Sequence, residues 1–222
     1  MKTVNIAIDG PAGAGKSSIS RKVSAELGYI YVDTGALYRS IAYTLNSCGI
    51  TTEEIEKIKE TLASTRIDIK FIEGEQHVMV NNTDVSDKIR TAEVSMLASA
   101  YSAIPVVREY LLGLQRRMAE ENNVIMDGRD IGTVVLPNAT VKIFLTADPE
   151  DRAQRRYDEM IAKGMEADYN DVLEDIKKRD YNDSHRPIAP LKPAEDSIVV
   201  NTTGNTFQQS VAQLAEIIKA NI

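Results

Sequence analysis

The sequence contains a single cysteine, Cys48, among its 222 residues. One thiol cannot build an internal disulfide framework, and sparse cysteine is typical of proteins from a reducing compartment. No apolar run approaches the roughly 18 residues of a membrane-spanning helix, and the first thirty residues lack the unbroken apolar stretch of a signal peptide. We therefore expect a cytoplasmic protein that does not bind a membrane.

Basic residues are also in the minority. The sequence has 26 Lys and Arg against 33 Asp and Glu, which gives a formal net charge of -7 at pH 7. A broad nucleic-acid surface depends on clustered cations that neutralise phosphates, so nucleic-acid binding is not expected. A small phosphorylated ligand remains compatible with this balance, because the arginines occur in local groups.

Short apolar runs alternate with helical patterns along most of the chain. Five of these runs predict buried strands, and they cover residues 3–8, 29–32, 124–126, 141–145 and 198–200. Apolar residues recur at helical spacing between the runs. This order predicts an α/β fold, in which helices flank a doubly wound parallel sheet of about five strands.

Two helix starts are marked by particular residues. Pro149 follows Asp148, and proline is favoured at the first position of a helix. Thr206 and Gln209 have the spacing of a capping box. A helix is therefore predicted to begin at each of these places.

One segment departs from the strand–helix alternation. Between residues 66 and 86, apolar and polar residues alternate on both sides of a predicted turn at Glu73-Gly74-Glu75. The pattern predicts a small antiparallel hairpin inserted into the α/β chain.

A glycine-rich segment follows the first predicted strand and precedes the first helix. Glycines let backbone N–H groups surround a phosphate at a helix N-terminus, while Lys16 adds charge near the β and γ phosphates and the Ser17 hydroxyl is a Mg²⁺ ligand. The alternative, a glycine-rich turn without a ligand, is disfavoured by the strand–loop–helix context. The segment matches the P-loop pattern, and the expected ATP-binding residues are Gly10, Pro11, Ala12, Gly13, Ala14, Gly15, Lys16, Ser17 and Ser18.

Asp127 follows the predicted strand at residues 124–126. From a strand end its carboxylate can hold Mg²⁺, directly or through a water molecule. Gly128, Arg129 and Asp130 come next and place a cation at the edge of the sheet where α/β proteins bind ligands. An ordinary turn with a solvated ion pair would show the same pattern.

Asp33 and Thr34 similarly end the second predicted strand. Tyr38 and Arg39 follow one helical turn later, so a hydroxyl, a ring and a cation could face one crevice. The alternative is that Asp33 and Thr34 only cap the next helix.

Two arginine groups lie further along the chain. Arg152, Arg155 and Arg156 share one helical face, which suggests a lid that closes over transferring phosphates. Nearby acidic residues allow the alternative of a solvated charged face. The second group consists of Arg179, Asp180, Asp183 and Arg186. It could bind the molecule that accepts the phosphate, or it could form a surface turn.

Taken in chain order, these motifs resemble those of the bacterial cytidylate kinases, a P-loop family of nucleoside monophosphate kinases, over essentially the whole length. The resemblance rests on the P-loop, Asp33–Arg39, Ile89-Arg90-Thr91 with Glu93-Val94, Asp127–Val135, and Arg186 with Ala189-Pro190-Leu191. It implies phosphoryl transfer from Mg-ATP to CMP or dCMP, which gives CDP or dCDP and ADP in pyrimidine nucleotide metabolism.

The resemblance also implies three functional regions within one domain spanning residues 1–222. A core of residues 1–33, 104–148 and 180–222 would bind ATP. A mobile acceptor-binding region would comprise about residues 34–103, with a β insert at about 64–90. A short helical lid would cover about residues 149–179.

Residue roles follow from the same resemblance. Lys16, Arg129, Arg152, Arg155 and Arg156 would be catalytic. Thr34 stands where the family often has serine, and its hydroxyl would contact the base. The full set of expected substrate-binding residues is Thr34, Tyr38, Arg39, Ser99, Arg108, Gly128, Arg129, Asp130, Arg179, Asp183 and Arg186.

Within that set, the resemblance implies separate contacts. Thr34, Ser99, Arg108, Asp130 and Arg186 would recognise cytosine. The acceptor phosphate would be bound by Arg39 and Arg129. The sugar would be approached by Arg179, Asp183 and Ser99.

Two alternatives remain at this stage. One is a P-loop kinase acting on UMP, AMP or another small metabolite. The other is a non-catalytic nucleotide switch, although the Asn-Lys-x-Asp base-recognition pattern of GTPases is absent from the sequence. Nothing in the sequence requires more than a monomer.

Overall fold

The structure, a computed structural model, describes residues 3–72 and 75–222, which form eight strands and eight α-helices. In chain order these are β1 (Asn5–Asp9), α1 (Lys16–Leu27), β2 (Ile30–Asp33), α2 (Thr34–Ser47), α3 (Ile55–Ser64), β3 (Ile67–Ile72), β4 (Glu75–Val80), β5 (Thr83–Asp84), α4 (Ala92–Tyr101), α5 (Pro105–Glu121), β6 (Val124–Gly128), β7 (Val141–Thr146), α6 (Pro149–Ala162), α7 (Tyr169–His185), β8 (Ile198–Asn201) and α8 (Phe207–Ala220).

The chain divides into two compact units. One comprises the chain up to Tyr31 and from Asn122 onwards, and the other comprises Val32–Glu121. No helix within the described residues combines the length and apolar character needed to cross a bilayer.

The first unit is built on a five-stranded sheet with the order β2-β6-β1-β7-β8. The central strand β1 pairs in parallel with β6 and β7, and β7 pairs in parallel with β8. A parallel sheet is covered on both faces, which explains why Ile6, Ala7 and Ile8 are all fully buried. The predicted α/β fold and all five of its strands are confirmed.

Register in this sheet decides where the polar strand ends lie. Ile8 is paired with Asp127, and Asp9 is paired with Gly128. The ends of β1 and β6 therefore reach the same edge of the sheet, and the segment that follows Asp9 begins beside the segment that follows Gly128.

Both predicted helix starts are confirmed. Pro149 opens α6 after Asp148. Thr206 caps α8 by accepting a hydrogen bond from the Gln209 backbone N–H, while the Gln209 side chain accepts one from the Thr206 N–H.

The second unit has its own apolar core. Leu37, Ile41 and Leu45 on one face of α2 pack in a cluster with buried residues of α4 and α5, among them Val94 and Leu111. This unit extends through α5, beyond the limit at residue 103 expected for the acceptor-binding region, because α5 packs against α2 and α3. The functional division into core, acceptor region and lid stays a prediction.

The predicted β insert contains more than a hairpin. β3 and β4 pair antiparallel as expected, and a third short strand, β5, pairs with β4. Asn81 and Asn82 both have positive φ, which is typical of a two-residue hairpin turn. The turn expected at Glu73-Gly74 lies outside the described residues.

Two further elements were not recognised in the sequence. Helix α3 buries only Ile58 and Leu62, a weak apolar stripe in a charged segment. Ile131–Val135 forms a short π-helical turn directly after Asp130. A single π turn has no distinctive sequence pattern and depends on its surroundings.

Candidate active site

The glycine-rich loop joins β1 to α1 and has a backbone that only glycine accommodates. At Gly10, where φ is 152°, a Cβ atom would lie 1.9 Å from the carbonyl oxygen of Leu145 on β7. Gly15 has a φ of 83° and occupies the N-cap of α1. Since glycine has no side chain to cap the helix, the first N–H groups of α1 are suited to binding an anion.

Lys16 lies at the first position of α1. Its Nζ donates a hydrogen bond to the carbonyl oxygen of Pro11 at 2.8 Å, and the side chain is buried. Burial, followed by the charge of Arg129, lowers the pKa of Lys16 to about 7. A bound phosphate would favour the charged ammonium, because it supplies an opposite charge.

Ser17 and Asp127, the two residues of the expected metal site, are in direct contact. The Ser17 hydroxyl donates to Asp127 Oδ2 at 2.7 Å, although the two residues are 110 positions apart. The Tyr31 hydroxyl donates to Asp127 Oδ1 at 3.3 Å. A hydroxyl and a carboxylate are hard oxygen donors, so this pair fits Mg²⁺. The hydrogen bond from Tyr31 was not predicted, because a single tyrosine in a strand belongs to no recognisable motif.

Asp9 was also missed by the sequence analysis. Its carboxylate accepts hydrogen bonds from the backbone N–H groups of Ile131 and Gly132, each at 2.7 Å. Burial raises the pKa of Asp9, these two bonds oppose the rise, and the resulting pKa is about 6. The only available indication in the sequence was an acidic residue at the end of an otherwise apolar strand.

Five of the expected substrate-binding residues come together in the first unit. Arg129 donates from Nε to Asp183 at 2.7 Å, and from Nη1 to the carbonyl oxygen of Gly128 at 3.3 Å. Arg186 donates from Nη2 to Asp130 at 3.3 Å. The pairs join the segment after β6 to the C-terminal part of α7, so cations and carboxylates alternate in one polar region.

The three arginines of α6 each have an acidic partner. Arg152 forms a bidentate pair with Asp180 at 3.1 and 2.6 Å. Arg155 pairs with Asp151 at 2.5 Å, and Arg156 pairs with Glu159 at 3.4 Å. These acidic partners relieve the repulsion between the three arginines, so a bound phosphate is not required for them to lie on one helix.

Arg152 differs from the other two because it is buried. Besides its pair with Asp180, it donates to the carbonyl oxygens of Ala147 and of Ala12 in the P-loop, at 2.8 and 2.9 Å. Arg156 is about half exposed, and Arg179 is exposed on α7. The charge of Arg179 nevertheless contributes to lowering the pKa of Lys16.

The second unit holds the remaining expected residues. Asp33 caps α2 by accepting from the Ala36 N–H at 2.9 Å, and it also pairs with Arg39 at 3.0 Å. It therefore caps a helix, as one alternative held, and in addition orients a cation. Thr34 at the start of α2 is buried.

Arg108 and Tyr38 contact each other within the same unit. The Arg108 guanidinium lies 5.8 Å from the centre of the Tyr38 ring, and its Nη1 donates to the Ser102 carbonyl oxygen at 3.3 Å. Ser99 is exposed on α4.

Known proteins resemble this chain throughout its length. The family model for cytidylate kinase matches residues 6–220. The cytidylate kinase of Caldicellulosiruptor saccharolyticus is 51% identical over 217 residues, which cover 98% of this chain and 96% of that protein. The cytidylate kinase of Leuconostoc mesenteroides subsp. mesenteroides is 49% identical over 222 residues, which cover 100% of this chain and 99% of that protein.

Among solved structures, an uncharacterized protein from Eubacterium ventriosum ATCC 27560 has a similar fold. The match has a TM-score of 0.54 at 13% identity and covers 98% of this chain and 99% of that one. At this identity the likeness concerns the fold alone.

Proposed function

The chain belongs to the cytidylate kinase family, and we propose that it transfers the γ-phosphoryl group of ATP to CMP or dCMP, with CDP or dCDP and ADP as products. The observation that carries the proposal is the contact between Ser17 and Asp127 beside the P-loop. Magnesium-dependent phosphoryl transfer needs oxygen donors for Mg²⁺ next to the triphosphate. Ser17 and Asp127 would be these donors, and Ser17 belongs to the loop that would hold the triphosphate.

The donor side of the reaction depends on residues of the first unit. Residues Gly10–Ser18 would hold the ATP phosphates through backbone N–H groups, and Lys16 would exchange its bond to Pro11 for one to a phosphate oxygen. Ser17 would bind Mg²⁺, and Asp127 would hold it directly or through water. When bound, Mg²⁺ would neutralise phosphate charge during the transfer.

The acceptor side depends on a second set of residues. Asp130 would accept from the cytosine amino group, while Arg186 donates to the ring acceptors. Uracil carries a carbonyl group in place of that amine, and an unmet buried polar pair costs about 1 to 3 kcal/mol. UMP is therefore expected to be a poor acceptor. The base-binding role extends to Thr34, Ser99 and Arg108.

Other residues would hold the rest of the acceptor. Arg39 and Arg129 would bind the phosphate of CMP, with Tyr38 and Gly128 beside it. Arg179 and Asp183 would contact the sugar, together with Ser99.

The chemical step needs no general base, because the acceptor phosphate is already anionic near neutral pH. Catalysis would come from positioning and charge neutralisation by Lys16, Arg129 and the α6 arginines Arg152, Arg155 and Arg156. Closure of the lid would exclude water that could otherwise hydrolyse ATP. We assign these steps to a cytoplasmic monomer with a core, an acceptor-binding region and a lid.

The test is ADP production by the purified protein with Mg-ATP and CMP, dCMP, UMP or AMP as acceptor. Turnover should be strong with CMP and dCMP and weak with UMP. The variant Asp130→Asn should lose roughly tenfold or more of kcat/KM for CMP and much less for UMP, because the amide does not reproduce both carboxylate acceptors. Asp158→Asn, an exposed position on α6, is the matched control.

Each other outcome has a definite meaning. Strong turnover with UMP or AMP would still identify a kinase but would contradict the proposed role of Asp130. ATP binding without acceptor-dependent ADP production would replace the kinase by a nucleotide-dependent switch.

A further inference from the structure

Asp9 ends the central strand and directly precedes the P-loop, yet its carboxylate is bonded to a different segment. Oδ1 accepts from the Ile131 N–H and Oδ2 accepts from the Gly132 N–H, both at 2.7 Å. Only 4% of the residue is exposed. Both oxygens are therefore committed to the backbone that follows Asp130.

The position of these bonds along the chain is informative. The ladder between β1 and β6 ends at the pair formed by Asp9 and Gly128. Beyond that pair, the carboxylate of Asp9 attaches Ile131 and Gly132 to the end of the same strand. Arg129 and Asp130 consequently lie on a short segment attached to β1 on both sides.

The bonds also cap the turn that follows. Ile131 and Gly132 begin the π-helical turn Ile131–Val135, and the first N–H groups of a helical turn need acceptors from outside it. Asp9 supplies both acceptors from the neighbouring strand. An asparagine would offer one acceptor and place an NH₂ group against the second N–H.

The close approach leaves little space at Gly132. A Cβ atom there would lie 3.4 Å from Asp9 Oδ2 and 3.2 Å from Cδ of Lys142. Gly132 therefore lies between the Asp9 carboxylate and the side chain of Lys142, and an added Cβ would mainly crowd Lys142.

Burying a carboxylate is costly, and burial raises the pKa of Asp9 to about 6. The two N–H donors and the charge of Lys16 favour the ionised form. A residue that served only to fill this space could be apolar, whereas an ionised group with two acceptors can hold two N–H groups at once.

We propose that Asp9 is a positioning residue for acceptor recognition, which holds Arg129 and Asp130 in place relative to the P-loop. The inference rests on the proposed function, since it assumes that Arg129 and Asp130 bind the acceptor nucleotide. Asp9 itself need not touch either substrate.

The test compares Asp9→Asn with the unaltered protein and with Asp158→Asn. For each protein, kcat and KM are measured with CMP and with UMP, and the Kd for ATP is measured separately. In Asp9→Asn, kcat/KM for CMP should fall roughly tenfold or more, while the Kd for ATP changes by less than about threefold. The preference for CMP over UMP should fall as well, because Asp130 is no longer held.

A merely structural role would give a different pattern. Loss of folded protein lowers kcat equally for both acceptors and leaves KM and the CMP to UMP preference unchanged. That result would overturn the inference. If Asp9→Asn does not fold, Asp9→Glu keeps the charge and both acceptor oxygens but shifts them by one methylene group, and it should show the same selective loss.

Two outcomes distinguish the proposed function from the role of Asp9. Failure of the unaltered protein to use CMP would contradict the proposed function and with it the inference. Efficient and selective use of CMP by the unaltered protein, with unchanged selectivity in the folded Asp9 variant, would contradict the inference alone.

Discussion

Asp183 accepts a hydrogen bond from the Nε of Arg129 at 2.7 Å across 54 positions of the sequence. Arg129 follows β6, and Asp183 lies in the last turns of α7, where its side chain is about 10% exposed. Within the first unit, the pair therefore attaches the C-terminal end of α7 to the segment that follows β6.

Removing one partner of this pair should cost stability. Asp183→Ala leaves Arg129 without the carboxylate it contacts in a mostly buried place, so the free energy of unfolding should fall by about 1–3 kcal/mol. Urea denaturation measures the change, and Asp158→Ala on the exposed face of α6 is the control. The KM for CMP should also rise; equal stability and equal KM would show that the pair has no role.

Lys16→Ala should abolish most turnover while the protein stays folded. The ammonium is the charged group of the P-loop, and loss of one such stabilising group typically lowers kcat by about 100- to 1,000-fold. A coupled assay of ADP production measures kcat, and circular dichroism checks the fold. Near-normal turnover of the folded variant would remove the P-loop from the mechanism.

Arg152 and Arg156 should respond differently to substitution, although both lie on α6. Arg152→Ala removes a buried guanidinium bonded to Ala12, Ala147 and Asp180, so the free energy of unfolding should fall by about 2–4 kcal/mol. Arg156→Ala removes a half-exposed partner of Glu159 and should change it by less than about 1 kcal/mol.

Turnover measurements on the same two variants separate anchoring from catalysis. If the exposed arginine closes over the phosphates, Arg156→Ala should lower kcat without a matching loss of stability. Unchanged kcat in Arg156→Ala would indicate a solvated charged face. A stable Arg152→Ala variant would contradict the anchoring of the P-loop by Arg152.

The β insert should lose stability at low pH through Asp84. Hydrogen bonds from the Ser86 side chain and backbone, and then from His77, lower the pKa of Asp84 to about 2. Because the folded-state pKa lies below the ordinary value of 3.8, the contribution is complete above about pH 4 and is lost as the pH falls toward 2.

Thermal melting at pH 5, 3 and 2 tests this contribution. Asp84→Asn should be less stable than the unaltered protein at pH 5, by less than about 1 kcal/mol because the carboxyl is largely exposed. The difference should shrink by pH 2. A difference that is independent of pH would show that the carboxylate charge is not involved.

Much of the fold was predictable because its determinants are local. The five strands are short apolar runs, and the capping pair Thr206 and Gln209 lies within one helical turn. The P-loop likewise depends on glycines within a few residues of Lys16. By contrast, β5 has only two residues, and the π-helical turn after Asp130 depends on acceptors from another strand. Neither has a local pattern strong enough to be recognised.

The sequence by itself determined the succession of strands and helices along an α/β chain, the phosphate-binding loop and the resemblance to one family of kinases. Only the tertiary structure decided the partners of the charged residues: Ser17 with Asp127, Arg152 with Asp180 and Ala12, and Asp9 with the backbone after Asp130. The physical reason is that strand and helix patterns follow from neighbouring residues. The sequence contains many residues that could pair with a given charged side chain. Sheet register and packing decide which of them lies close enough to do so.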